Sequence, residues 1–223
     1  MIVYNLRIIF ANKFIWFLAG STAFFLGLSV IYSFSEDVSK MSDLFGVFLF
    51  SGILLVFYPS VFGVQNDQDA RTIEILFGIP NYRYKIWLVR IILIFMVAFM
   101  IMLLFTFLSS VMIVKFHFVN VTAQVMVPVI FLGTMAFMVS TVVRNGNGTA
   151  VLMIIFGLFF MIMSDALSRS QWNVFLNPYD LPYDINEATW ALIMLKNRII
   201  LVIGSVIFLL VALFNLQKRE KFM

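Results

Sequence analysis

Residues 88–114 read LVRIILIFMVAFMIMLLFTFLSSVMIV. After Arg90 the run holds no ionisable group, and its only polar residues are Thr106, Ser109 and Ser110. About 20 apolar residues of helix cross the hydrocarbon core of a bilayer, so this stretch is long enough to span one. Five further runs of the same kind surround it, at about 14–34, 44–64, 123–143, 149–166 and 198–215. None alternates with the period of a strand, and each is about twice the ~10 residues of a barrel strand. The expected fold is therefore all-α and integral to a membrane: one domain, 1–223, with six transmembrane helices. The first run is too long for the apolar core of a signal peptide and no A-x-A site follows it, so it is expected to stay in the protein.

Composition agrees with this reading. Of 223 residues, 63% are apolar and 12% charged, half the ~25% charge of soluble domains. The mean hydropathy is +1.04. A soluble fold of this size leaves about a quarter to a third of its surface exposed and has no place for so much apolar area. The chain has no cysteine and one histidine. These counts argue against a disulfide scaffold, a thiolate metal site, a histidine cage and a Ser-His-Asp triad. The net charge of +4 is read as the basic bias of cytoplasmic loops rather than as a nucleic-acid footprint.

The connections are mostly short, so successive spans alternate in direction. With the N-terminus inside, the inner segments carry Arg7, Lys13, Arg71, Arg83, Lys85, Arg90, Arg144, Lys218, Arg219 and Lys221, and the outer ones Lys40, Lys115, Arg169, Lys196 and Arg198. Acids lean outward: Glu36, Asp37, Asp43, Asp165, Asp180, Asp184 and Glu187. This bias places both termini in the cytoplasm. Trp16, Tyr32, Trp87 and Trp190 fall where interfacial rings are expected.

Residues 1–13 set Ile2, Val3, Leu6, Ile9 and Phe10 at helical spacing, which suggests an N-terminal interfacial helix; a frayed tail is the plainer alternative. Residues 167–197 form the longest outer loop, in which Asn186 is suited to cap a short apolar helix, Ala188–Leu195. Two alternatives stay open there. One is a segment re-entering the outer leaflet; the other is a single long sixth helix starting near residue 187, with Lys196 and Arg198 reaching its outer end. Gly20, Ala23 and Gly27 share a face of the first span, suited either to close helix contact or to lipid. His117 reads as a polar end-residue.

The sequence contains no phosphate-binding loop, no metalloprotease or nucleophile-elbow motif, and no paired carboxylates within a span. The middles of all six runs lack Asp, Glu, Lys, Arg and His, groups that ion-coupled carriers and voltage sensors keep there.

The longest inner loop is the most informative. Asn66 or Asp67 is placed to cap a helix whose acids suit the positive helix end. Ala70, Ile73, Leu76 and Phe77 form an apolar stripe, and Gly78 and Pro80 stop it. A short amphipathic helix over 66–80 is expected, resting on lipid or seated in the groove of a cytoplasmic partner.

Here the chain resembles a family. Thr72-Ile73-Glu74-x-Leu76-x-x-x-Pro80, followed by Arg90, is similar to the Gly-Thr-Leu/Ile-Glu-x-Leu-x-x-x-Pro … Lys signature of type-2 ABC transporter permeases, with Arg71 in place of the glycine and Arg90 in place of the lysine. The layout matches too, over nearly the whole chain, and is shared by the haem-exporter B subunits of cytochrome c maturation. The resemblance implies that 66–80 is the coupling helix. Asp67, Asp69, Arg71, Thr72, Ile73, Glu74, Leu76, Phe77 and Pro80, with Arg144 and Asn145 between spans four and five, would contact two cytoplasmic ATPase subunits. ATP and Mg would sit in those ATPases and no cofactor in this chain. A second permease copy or paralogue would complete the pathway, in a bacterial inner membrane, without nucleic acid. The charge-free spans suit a lipid-like, amphipathic or hydrophobic peptide cargo. A non-transporting membrane scaffold and a lipid-modifying enzyme are the alternatives from other classes.

Overall fold

The computed structural model describes residues 14–34, 41–69 and 83–216, with the backbone alone at 67–69 and 83–85. Six long helices make up the described chain: α1 Phe14–Phe34, α2 Met41–Asp69, α3 Val89–Met112, α4 Phe118–Val143, α5 Gly146–Ala166 and α6 Glu187–Asn215. A π-helical turn, Arg83–Leu88, leads into α3. All six are long and apolar enough to cross a membrane. The expected interfacial helix over 1–13 lies outside the described residues.

The helices alternate in direction, as contacts at their ends establish. At one end the α4–α5 turn meets the last turns of α2 through Gly146 and Gln65. Trp87 packs on Phe137 at 6.0 Å between centroids, and Asn215 on α6 donates to Thr141 on α4 at 3.4 Å. At the other end the loop 167–186 reaches the start of α2, where Asn177 donates to the Ser42 carbonyl at 2.9 Å. We call these the signature end and the loop end.

The central pair is α2 and α4, with 67% and 72% of their spanning windows buried, against 11% for α5. Their close approach needs a residue without a side chain: a Cβ on Gly52 would lie 2.8 Å from Val129 Cγ2. Several buried hydroxyls bond carbonyls or hydroxyls of the neighbouring helix, which suits groups shielded from water, while the Ser29, Ser51, Ser60, Ser109 and Thr149 hydroxyls find no partner among the described residues. Ser21 of α1 donates to the Ser51 carbonyl of α2 at 3.0 Å, and Thr106 of α3 bonds Thr122 of α4 at 2.7 Å. Aromatic stacking adds to the α1–α3 contact, with Phe25 and Phe105 4.3 Å apart and nearly parallel.

Several expectations are corrected here. Asn66 and Asp67 begin no new helix: residues 66–69 are the last turn of α2. The helix continues through Pro59 and Gly63 into Gln65–Asp69, a stretch with no glycine or proline of its own to end it. Of the two readings of 186–197, the single helix is observed. Asn186 does cap it, accepting from Thr189 N at 2.7 Å, but the helix runs unbroken to Asn215. The face carrying Gly20, Ala23 and Gly27 turns away from the other described residues; a Cβ on either glycine meets nothing of them within 4 Å. Trp87 and Trp190 are buried within the protein, whereas Trp16 is exposed. His117 caps α4, its Nδ1 accepting from Asn120 N at 3.4 Å.

Candidate functional site

The signature end is built around the two-residue passage from α4 to α5, Arg144 and Asn145. Arg144 closes α4 in the left-handed conformation, φ 58°, and Asn145 opens α5, accepting from Gly148 N at 2.9 Å. This reverses the chain within a residue or two and drives Gly146 against α2. The Gly146 amide donates to the Gln65 side-chain oxygen. A Cβ on Gly146 would lie 2.7 Å from Phe62 Cε1, so only glycine fits. Phe62 in turn stacks on Tyr58, and Tyr58 on Phe17 of α1, each at 5.2 Å. The Tyr58 hydroxyl accepts from Asn66 at 3.2 Å. A column of rings thus backs the last turns of α2.

Beside it, the π-helical turn sets Trp87 and Arg90 together. The Arg90 guanidinium lies 4.8 Å from the Trp87 ring, and both side chains are buried, the geometry in which a cation–π contact counts most. Pro59 and Gly63 of α2 and Phe137 of α4 complete the walls of a narrow crevice around them.

Of the residues that the sequence offers as partner contacts, Asp67 and Asp69 lie in the last turn of α2, and Arg144 and Asn145 lie in the turn that Gly146 joins to α2. The two stretches are brought to one end of the bundle. Arg71, Thr72, Ile73, Glu74, Leu76, Phe77 and Pro80 lie outside the described residues. The Asn145 side-chain oxygen is engaged in the α5 cap, which leaves its amide group for an outside contact. Sequence reading missed the contact of Gly146 with Gln65 and the Phe62 ring behind it. The Gly-x-Gly after Asn145 was the available signal.

The loop end holds a second polar constellation, which the sequence reading also missed. Asn197 is fully buried and donates to the carbonyls of Gln171 and Asn173 at 2.9 and 2.8 Å. Arg198 donates to Gln124 Oε1 of α4 at 2.9 Å, to Asn197 Oδ1 at 3.0 Å and to the Leu176 carbonyl at 3.3 Å. Asn173 reaches the Ser164 carbonyl of α5 at 3.2 Å, and Trp190 the Pro178 carbonyl at 3.3 Å. The loop backbone between 171 and 178, which no helix satisfies, is bonded by side chains as well as by its own turns, and Val174 and Leu176 pack inside the bundle. Burial raises the Tyr179 hydroxyl above its ordinary pKa, and the nearby Arg198 charge opposes part of that shift. Arg169 and Asp184 pair on the exposed side of the loop.

Taken together, six apolar helices of spanning length make this a multi-pass membrane protein. Comparison with family models, with curated proteins and with solved structures finds no match.

Proposed function

We propose that the chain is the membrane-spanning permease subunit of an ATP-driven exporter of the type-2 ABC class, seated in a bacterial inner membrane with both termini cytoplasmic. The observation that supports this most is the joint at the signature end. The segment Thr72–Pro80 follows directly on α2, and the last turns of α2 are bonded to the α4–α5 turn through Gln65 and Gly146. A push delivered to either stretch by a soluble motor is therefore shared by α2, α4 and α5. Apart from Arg198 of α6, the middle turns of the described helices carry no Asp, Glu, Lys, Arg or His, which favours a lipid-like, amphipathic or hydrophobic peptide cargo over an ion. Two ATPase subunits would dock beneath a pair of permeases.

The test is purification of the full chain in mild detergent and identification of every bound protein. An ATPase with a phosphate-binding loop is expected, and its hydrolysis should depend on this chain. Glu74→Ala and Leu76→Asp should each release the ATPase or uncouple hydrolysis while leaving the spans inserted. Recovery of the chain without any nucleotide hydrolase, or unchanged coupling in both variants, refutes the assignment and favours a membrane scaffold.

A further inference from the structure

Arg198 sits at the edge of what α6 buries. On one side of it around the helix are Met194, Asn197, Leu201 and Ser205, all buried; on the other are Leu195, Ile199 and Val202, exposed by 58%, 49% and 50%. The guanidinium is held in place by three neutral acceptors, Gln124, Asn197 and the Leu176 carbonyl. It has five N–H donors, so two remain beyond these bonds. Among the described residues the one ion pair is Arg169–Asp184, and no carboxylate pairs with Arg198. A cation withdrawn from water gains most from an anion that completes its donor set.

Depth and neighbours say which anion. Arg198 is seventeen residues from Asn215, about 26 Å along the helix axis, and the hydrocarbon core is ~30 Å thick. With Asn215 at one boundary, Arg198 lies near the other, where phosphate groups begin. The exposed apolar residues Leu195, Ile199 and Val202 flank the guanidinium on the lipid side, and Val206 continues the strip along α6. On the neighbouring helix α4, Val127 and Phe131 are half-buried. A charged donor set at the head of an apolar strip matches a molecule with a phosphate head and acyl chains.

We propose that Arg198, with Gln124 beside it, forms a binding site for the phosphate of a phospholipid in the leaflet at the loop end, with an acyl chain along the exposed strip of α6. The proposal rests on the membrane-spanning fold alone and holds whether or not an ATPase docks at the opposite end.

The full chain, purified in detergent, is titrated with dioleoylphosphatidylglycerol and the bound lipid counted by native mass spectrometry. One tightly retained lipid is expected. Arg198→Gln should weaken it at least tenfold. Arg198 also holds a loop carbonyl, so Leu195→Glu serves as the second variant: it places a carboxylate one turn away on the exposed face, disturbs no described hydrogen bond, and should displace the lipid to the same extent. Dioleoylglycerol, with the same chains and no phosphate, should bind wild type and Arg198→Gln alike. Retention of the lipid in both variants overturns the site. So does an equal loss in Lys196→Gln, which would mean diffuse charge attraction. Displacement by excess glycerol 3-phosphate overturns the lipid as the source and assigns the site to a free phosphate.

Discussion

Replacing Gly146 by alanine tests the joint at the signature end most directly. The added Cβ would stand 2.7 Å from Phe62 Cε1 and 2.5 Å from Gln65 Oε1, inside the 3.0 Å that real Cβ atoms keep. Gln65 can swing aside, at the loss of its bond to the Gly146 amide, about 1 kcal/mol. Phe62 cannot move as freely, because its ring is stacked on Tyr58 and, through it, on Phe17. Forcing one extra methyl into packed structure costs about 1–3 kcal/mol. The expected loss for Gly146→Ala is therefore about 2–4 kcal/mol. A double-mutant cycle separates the terms. Phe62→Ala removes the ring that the methyl strikes, so the double variant should lose about 1–2 kcal/mol less than the two single losses added together. The assay is reversible unfolding of the full chain in mixed micelles, followed by tryptophan fluorescence. Strict additivity, or a Gly146→Ala chain as stable as wild type, would refute the close approach of the α4–α5 turn to α2.

Three more outcomes are expected. Asn197→Leu takes the side-chain donor from the Gln171 carbonyl and leaves the Asn173 carbonyl only the Leu176 N–H at 3.3 Å, and should cost about 1–3 kcal/mol in unfolding free energy, with faster proteolytic nicking within 167–186. Thr106→Val and Thr122→Val should each destabilise by about 1 kcal/mol, and the double variant by less than their sum, since the hydroxyls bond each other at 2.7 Å; melting of all three variants in one detergent checks it. The raised pKa of Tyr179 means that the folded chain holds its proton more tightly than the unfolded chain. That stability is fully present below pH 10, the ordinary value, and is lost as pH rises beyond it, so Tyr179→Phe should show a shallower fall of melting temperature in alkaline titration.

The six spans were legible because a bilayer leaves a one-dimensional signature: a helix satisfies its own backbone, and its length is set by the membrane rather than by packing. The ends were less legible. Helices α2 and α6 run well past the hydrocarbon thickness, and nothing in an apolar count decides whether Asn66–Asp69 and Glu187–Leu195 continue the neighbouring span or form helices of their own. Asn197 and Arg198 interrupt an apolar run, which marked them as a boundary by hydropathy; in the fold they are the donors that fasten a loop. Their role depends on carbonyls some twenty residues earlier, which no local pattern reports. Gly146 was in view as part of a turn, but its contact with Phe62 and Gln65 joins residues 81 positions apart. Of the expected partner contacts, proximity of Arg144 and Asn145 to the end of α2 was implied by alternating spans, and the structure adds the bond between Gly146 and Gln65 that joins the two.

Helix α5 is fastened at its tips and little between. Gly146, Thr149 and Met153 are buried near its start, Asn173 grips Ser164 near its finish, and most of 154–162 faces outward. Such a rod leans or bows at little cost to the central pair, so a thinner or thicker bilayer is absorbed there first. The molecule thereby keeps a stiff spine and one compliant stave, and lateral pressure in the membrane acts chiefly on the stave.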